Sequence, residues 1–474
     1  MKVGYSEQRD YFSSKENALS AILSGYAILP KVYHSVFVDP LKELFTNHFD
    51  QVLQDISASG GDDIPFRDWL DSIQQRNDKY LREPTHAFQY LMNDLYAGWS
   101  DSESRFGIKP PDNQVVPPLS RWGRPDMGPY TVAVRSRLRQ EFGVAMSVVT
   151  MGPALSKNIA MWGALAHECG HDITIADNGL LEGCAQKIYS QILNARELQG
   201  QEVIYNGSPE PLAKRAAEVW KFWITETIAD VLGILNFGPS SGIAFATLVI
   251  GLRNGTLSTR GSANDSHPID ALRVFMAADL VREISSLNGD TRKSWADALI
   301  KITEKYIRSK NKFELGWGSP SGFSPTVEFP FEAMRETTKI VAKTLAFGQL
   351  ETLENHYLAE VNTWADNDET IAVRIADNFL SEKEPSTESR PGETKVHPAH
   401  LIAGAVYALT ESSNLSAITN LTVSALSKSY DKDKVWSGFP LLGMGDLFVH
   451  GFIPSFKNTM RTRKSRNAKS TKST

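Results

Sequence analysis

The chain of 474 residues has only two cysteines, Cys169 and Cys184. That is too few for a disulfide framework, and it points to a reducing compartment. Long apolar runs are also missing. The longest, Ile243 to Leu252 and Leu401 to Leu409, fall well short of the roughly 20 residues that span a bilayer, and both read as buried helices. The opening Met1-Lys2-Val3-Gly4-Tyr5-Ser6-Glu7 runs into charge with no apolar core, unlike a secretory signal. No internal repeat stands out, which argues against solenoids and propellers. The expectation from these absences is a cytoplasmic protein that does not span a membrane.

Charge is ordinary in amount and uneven in place. Hydrophobic residues make up 41% and charged residues 22% of the chain, as in a soluble globular protein with room for two or three subdomains. The net charge is −5, but Lys457 to Thr474 holds seven basic residues and no acid, which leaves −12 on residues 1–456. This tail has almost no apolar residues and reads as disordered. A solvated end is its ordinary meaning. Weak contact with nucleic acid or an acidic membrane surface is the alternative, and no stable nucleic-acid binding is expected.

Against this background one stretch stands out, Trp162 to Ala176, which contains His167-Glu168-Cys169-Gly170-His171. This is an H-E-x-x-H pattern. On a helix, positions i and i+4 share a face, so both imidazoles can reach one metal ion, and Glu168 can address a metal-activated water. Ala164, Leu165 and Ala166 support a helix, with Ser156 as a candidate N-cap. Cys169, two positions after His167, should point away from the metal and pack as a small core residue.

Along the chain, three- and four-residue apolar spacing predicts a helical region over 1–106 with no chemistry in it. His34, His48 and His86 read as packing or surface residues. The stretch 107–129 is rich in proline and glycine and reads as a surface connector. Candidate strands follow at Tyr130–Val134 and Val144–Met151; an edge strand beside a metal could hold an extended substrate by backbone pairing. Helices are expected at 179–198, from Pro209 or Pro211 to about Asn236, at 240–252, from His267-Pro268 to about Ile284, and at 290–308, 330–349, 350–364 and 368–381. The domain organisation that results is a core over 130–290, a helical region over 291–381, a hydrophilic linker over 382–396, a C-terminal helical segment over 397–456 and the tail 457–474. His397-Pro398 with His400 reads as a helix start with no assigned role.

Two residues compete as third metal ligand. Asp177 lies six beyond His171, but the turn that would swing it back calls for glycine where Thr174 stands. Glu226 is the stronger candidate. It lies on an apolar helical stretch with Asp230 one turn on, and two carboxylates buried there need a cation or donors. Glu226 would bind the metal, and Asp230 would orient a ligand imidazole through its ring N–H.

Glu226-Thr227-Ile228-Ala229-Asp230 matches E-x-x-A-D, and His267-Pro268-Ile269-Asp270-Ala271-Leu272-Arg273 matches H-P-x-x-x-x-R. With H-E-x-x-H, in this order, the chain resembles gluzincin zinc metallopeptidases related to the HtpX and CaaX prenyl protease family, over roughly residues 144–285. The resemblance implies a zincin-like core, one zinc per chain held by His167, His171 and Glu226, and Glu168 as general base. It further implies that His267 stabilises the tetrahedral intermediate or orients substrate, and that Arg273 supports the site from behind the residues in direct contact. The family's membrane helices are absent, so a soluble peptide or protein is the expected substrate. The expected fold is mainly α with a small β-sheet (α+β), with helical N- and C-terminal extensions. The expected activity is zinc-dependent endopeptidase; the alternative is an inactive zinc-binding protein with a regulatory or protein-binding role.

Overall fold

Apolar residues at helical spacing form helices over much of 11–100, and the described residues are mainly helical with two small sheets. The computed structural model describes residues 11–29, 33–58, 64–77, 82–100, 105, 107–113, 116–124, 128–132, 146–319, 322–387 and 395–433. The basic tail, the opening seven residues, the parts of the expected strands at 133–134 and 144–145, and positions 388–394 of the hydrophilic stretch lie outside them. Among the described residues, no helix is long and apolar enough to cross a membrane.

The chain divides into two units. One comprises Met1–Asn93, Gln114–Ser156 and Val423–Gly451; the other comprises Asp94–Asn113, Lys157–Thr422 and Phe452–Thr474. The first holds α1 (Lys15–Ile28), α2 (Asp39–Asn47), α3 (Phe49–Ala58), α4 (Ile64–Gln74) and most of α5 (Arg82–Ser100). Phe66 and Trp69 meet edge to face at 5.7 Å, and Phe37 and Phe45 close the same core. Its three-stranded sheet has the order β1 (Leu119–Trp122), β3 (Val148–Met151), β2 (Tyr130–Val132). The proline-rich stretch is therefore no plain surface connector, since residues 116–123 are buried. Pro117 and Pro118, which lack N–H donors, lead into β1 at no donor cost, and their carbonyls accept from Tyr33 and Gln89.

The second unit is built on helices: α6 (Leu165–Ile173), α7 (Leu180–Leu193), α8 (Leu212–Phe222), α9 (Ile224–Phe237), α10 (Pro239–Leu252), α11 (Asp270–Glu283), α12 (Gly289–Tyr306), α13 (Phe331–Phe347), α14 (Leu358–Val361), α15 (Asp366–Leu380), α16 (Pro398–Glu411) and the start of α17 (Leu415–Asp433). Helix α9 is its axis, with thirteen of fourteen residues buried. It ends at Gly238, where φ is 61° and an added Cβ would lie 2.4 Å from Trp364 Cδ1, so only glycine serves.

Several boundaries differ from expectation. The helix expected up to Asn236 is two helices broken at Trp223, and the one expected over 350–364 is only a short turn and α14. His267-Pro268 precedes α11 without starting it. Ser156 caps no metal-site helix; it sits in a 3₁₀ segment and donates to Pro153 O, and a second 3₁₀ run, Ile159–Ala164, leads into α6. A five-stranded sheet in the order β5 (Ser208–Pro211), β4 (Glu202–Tyr205), β8 (Gly322–Pro330), β7 (Lys312–Ser319), β6 (Arg260–Ser262) is additional to the strands read from sequence.

Candidate metal centre

Helices α6 and α9 cross at van der Waals limits. A Cβ on Gly170 would lie 2.8 Å from Ala229 Cα, and one on Gly233 would lie 3.3 Å from His167 N. Two motif positions without obvious chemistry, the glycine of H-E-C-G-H and the alanine of E-T-I-A-D, are thus what allow the backbones to meet. The crossing sets His167 and His171, one turn apart on α6, opposite Glu226 in the first turn of α9. A carboxylate there is also favoured by the helix dipole.

The three side chains converge. The two imidazole Nε2 atoms lie 3.1 Å apart, His167 Nε2 is 3.2 Å from Glu226 Oε2, and His171 Nε2 is 3.5 Å from Glu226 Oε1. One ligand atom from each residue falls within 4.8 Å of the others, so this largely buried group could hold a metal ion. Glu226 Oε2 is buried and has no hydrogen-bond partner among the described residues. An orphaned carboxylate oxygen between two close ring nitrogens is costly by itself and fits a cation. With metal–ligand distances of about 2.0–2.1 Å, neighbouring ligands of a tetrahedral zinc lie about 3.3 Å apart; the two Nε2 atoms, at 3.1 Å, and the His167–Glu226 pair, at 3.2 Å, have this spacing.

Behind the triad stands a buried charged chain. His167 Nδ1 lies 2.8 Å from Asp230 Oδ1, the arrangement that fixes a ligand imidazole's tautomer with Nε2 toward the metal. Arg273 donates to both Asp230 oxygens, from Nε at 2.7 Å and Nη2 at 2.8 Å, and its guanidinium lies over the Phe245 ring, 4.1 Å from the centroid. Burial works against charge on every member, but the partners outweigh it. Arg273 and His167 hold the Asp230 carboxyl below its usual range. The two imidazoles hold Glu226 far below it. Asp230, with Glu226, lifts His167 to about 9.

Glu168 is buried on the first turn of α6, next to His167. His267 lies on the loop between β6 and α11 with 55% of its side chain exposed, its Nε2 3.4 Å from Glu226 Oε2. Asp177 is elsewhere engaged, in a fully buried two-pronged ion pair with Arg105. Cys169 is buried, and burial pushes its thiol well above the ordinary value, with Asp172 and Glu168 adding to the effect.

The strand expected to hold substrate cannot do so by its edge. β3 is the central strand, parallel to β1 and antiparallel to β2, so both its sides are taken, and it belongs to the other unit from α6. The edge strand that leads toward His267 is β6, whose Arg260 N–H and C=O are both engaged by the Ser258 hydroxyl. Sequence reasoning overlooked Arg105, Phe245 and Asp265. Only Asp265 left a signal, an aspartate two residues before His267, the spacing of an Asx turn.

Comparison with protein-family models, with curated proteins and with solved structures finds no match to this chain.

Proposed function

We propose that this chain is a zinc-dependent endopeptidase acting on peptides or proteins in water. The observation that carries the reading is the buried Glu226 carboxylate, its Oε2 without a hydrogen bond, facing two imidazoles, one of them backed by Asp230 and Arg273. His167, His171 and Glu226 would hold the ion. When bound, zinc supplies Lewis-acid polarisation of the scissile carbonyl and of the attacking water. The chain's own residues do the rest. The Glu168 carboxylate takes the proton of the water whose oxygen bonds to the carbonyl carbon, then delivers it to the leaving amine as the C–N bond breaks. His267, exposed at the rim, meets the developing oxyanion or orients the substrate. Asp230 and Arg273 keep the His167 ring from turning.

The test compares the wild type with Glu168→Gln on a library of proteome-derived peptides, with zinc content measured for both. The wild type is expected to cleave, and the variant to keep about one zinc per chain while losing at least about 100-fold in rate. Protein that stays metal-free under zinc supplementation, or equal cleavage by both, would sink the reading. Zinc in both with cleavage in neither is the signature of the inactive, regulatory alternative.

A further inference from the structure

The guanidinium behind the centre is itself held by a ring. Arg273 aims Nε and Nη2 at Asp230, and Nη2 shares Asp230 Oδ1 with His167 Nδ1. The two nitrogens on that oxygen lie 3.4 Å apart. A tilt of the guanidinium therefore either lifts Nη2 off Oδ1 or crowds it against the ligand imidazole. Hydrogen bonds along one edge do little against such a tilt, whereas a surface across the face opposes it. That surface is the buried ring of Phe245, whose centroid lies 4.1 Å from the guanidinium carbon. The ring has nowhere to retreat, because α10 is wedged on three sides within four residues. An added Cβ would lie 2.4 Å from Ala244 Cβ if placed on Gly163, and 3.1 Å from Ser241 Oγ if placed on Gly233. One on Gly242 would lie 3.0 Å from Leu299 Cδ1. Phe245, Arg273, Asp230 and His167 together line a cavity of only about 10 Å³, which leaves the guanidinium little room to leave the ring.

We propose that Phe245 is a positioning residue of the metal centre, acting on the His167 ring through Arg273 and Asp230 by the attraction of its π face for the guanidinium. The inference rests on the metal reading of the His167–His171–Glu226 group. An aliphatic side chain can fill the place of the ring, but it has no negative face to draw a cation, and that attraction strengthens where water is excluded. Phe245 thereby ties a fourth helix to the centre: His167 stands on α6, Asp230 on α9, Arg273 on α11 and Phe245 on α10. Partners that orient a ligand imidazole govern how tightly the metal is held, so the electrostatics of the ring should be legible in metal affinity.

The experiment reads metal rather than turnover. In the full chain, Phe245 is replaced by leucine and by phenylalanines carrying one, two and three ring fluorines, which weaken the negative face stepwise with little change in size. Zinc affinity by competition with a chelating dye and the visible spectrum of the cobalt(II)-loaded protein are measured for each. Zinc affinity is expected to fall step by step along the fluorinated series, by about 3- to 10-fold at three fluorines, and by about 10-fold in Phe245→Leu. The cobalt bands should shift in the same order. With Arg273→Met in place, Phe245→Leu should cost nothing further, since the cation is gone. Zinc bound equally across the series would overturn this assignment while leaving the three-ligand centre intact. A loss in Phe245→Leu with no trend along the fluorinated rings would overturn it too, because packing alone would then account for the ring. A wild type that takes up neither zinc nor cobalt would overturn both readings. Far-ultraviolet circular dichroism of the metal-free proteins, expected to be the same throughout, checks that the fold is in place.

Discussion

The residue that decides the quality of the centre is Arg273, which touches no expected ligand atom closely and serves through Asp230. Removing it strands a carboxylate that is 7% exposed, with only the His167 ring for company. Breaking a buried pair from one side costs about 3–5 kcal/mol, so Arg273→Ala should lower stability by that order in chemical denaturation. It should also weaken zinc binding about 10- to 100-fold by loosening His167. Arg273→Lys keeps charge but not the two-pronged geometry, and should recover less than half of the loss. A stability change below about 1 kcal/mol in Arg273→Ala would show that the chain from Arg273 to the ligand is not a mechanical support. At this scale the sequence was readable where spacing carries chemistry. His167, His171, Glu226 and Asp230 fall together as their spacing suggested, and Arg273, expected from the resemblance alone, joins them at Asp230. Arg105, by contrast, gave no sign that it would occupy Asp177, because the two are brought together only by the folded chain.

At the scale of elements, Gly170 and Ala229 do more than any ligand to place the site. A methyl group at 170 would lie 2.8 Å from Ala229 Cα, so the helices must part by a few tenths of an ångström or more. Overpacking of this kind costs about 1–3 kcal/mol. Gly170→Ala should therefore lower the melting temperature and weaken zinc binding together. Gly289→Ala, whose added Cβ meets nothing within 4 Å, should change neither. Helices were legible because their apolar stripes repeat over many residues. Two strands of the second sheet were not: β4 buries one residue of four and β5 none, so no alternation marks them. The turn between them, Asn206-Gly207 with φ of 48° and 83°, is the sort of dipeptide that announces a hairpin, and it was the available clue. The break at Trp223 had no clue at all, since no glycine or proline stands there.

For the molecule as a whole, the pH response is expected to show a second buried acid. Glu369, in α15, accepts from Trp295 Nε1, Trp364 Nε1 and Tyr407 OH at 2.7, 2.9 and 2.9 Å. Burial, helped by neighbouring Asp368, raises its pKa despite these donors. A raised carboxyl pKa means the folded state holds the proton more tightly than the unfolded chain. Its stabilising contribution is then present below the ordinary glutamate value and is lost as pH rises through the folded one. The melting temperature of Glu369→Gln, measured from pH 4 to 8, should sit below the wild type at acid pH, where an indole N–H loses its acceptor. The gap should narrow as pH rises. A gap that is constant or widens with pH would show that Glu369 is ionised without penalty.

The close seating of Gly170 on Ala229 has one more consequence, which concerns the chain's continuity. If the crossing of the two helix backbones sets the register of His167, His171 and Glu226, the fifty-odd residues that join them need not. Within that intervening segment the turn at Asn206-Gly207 is exposed at both residues and carries none of the ligands. A protease site cut there should leave two pieces that stay together through native purification and still take up zinc as the intact protein does. If the nicked protein loses its metal while remaining associated, the connecting segment, and not the crossing, is what keeps the register. Metal retained by the nicked protein makes the centre a lock made by shape, for which the covalent thread matters only during assembly.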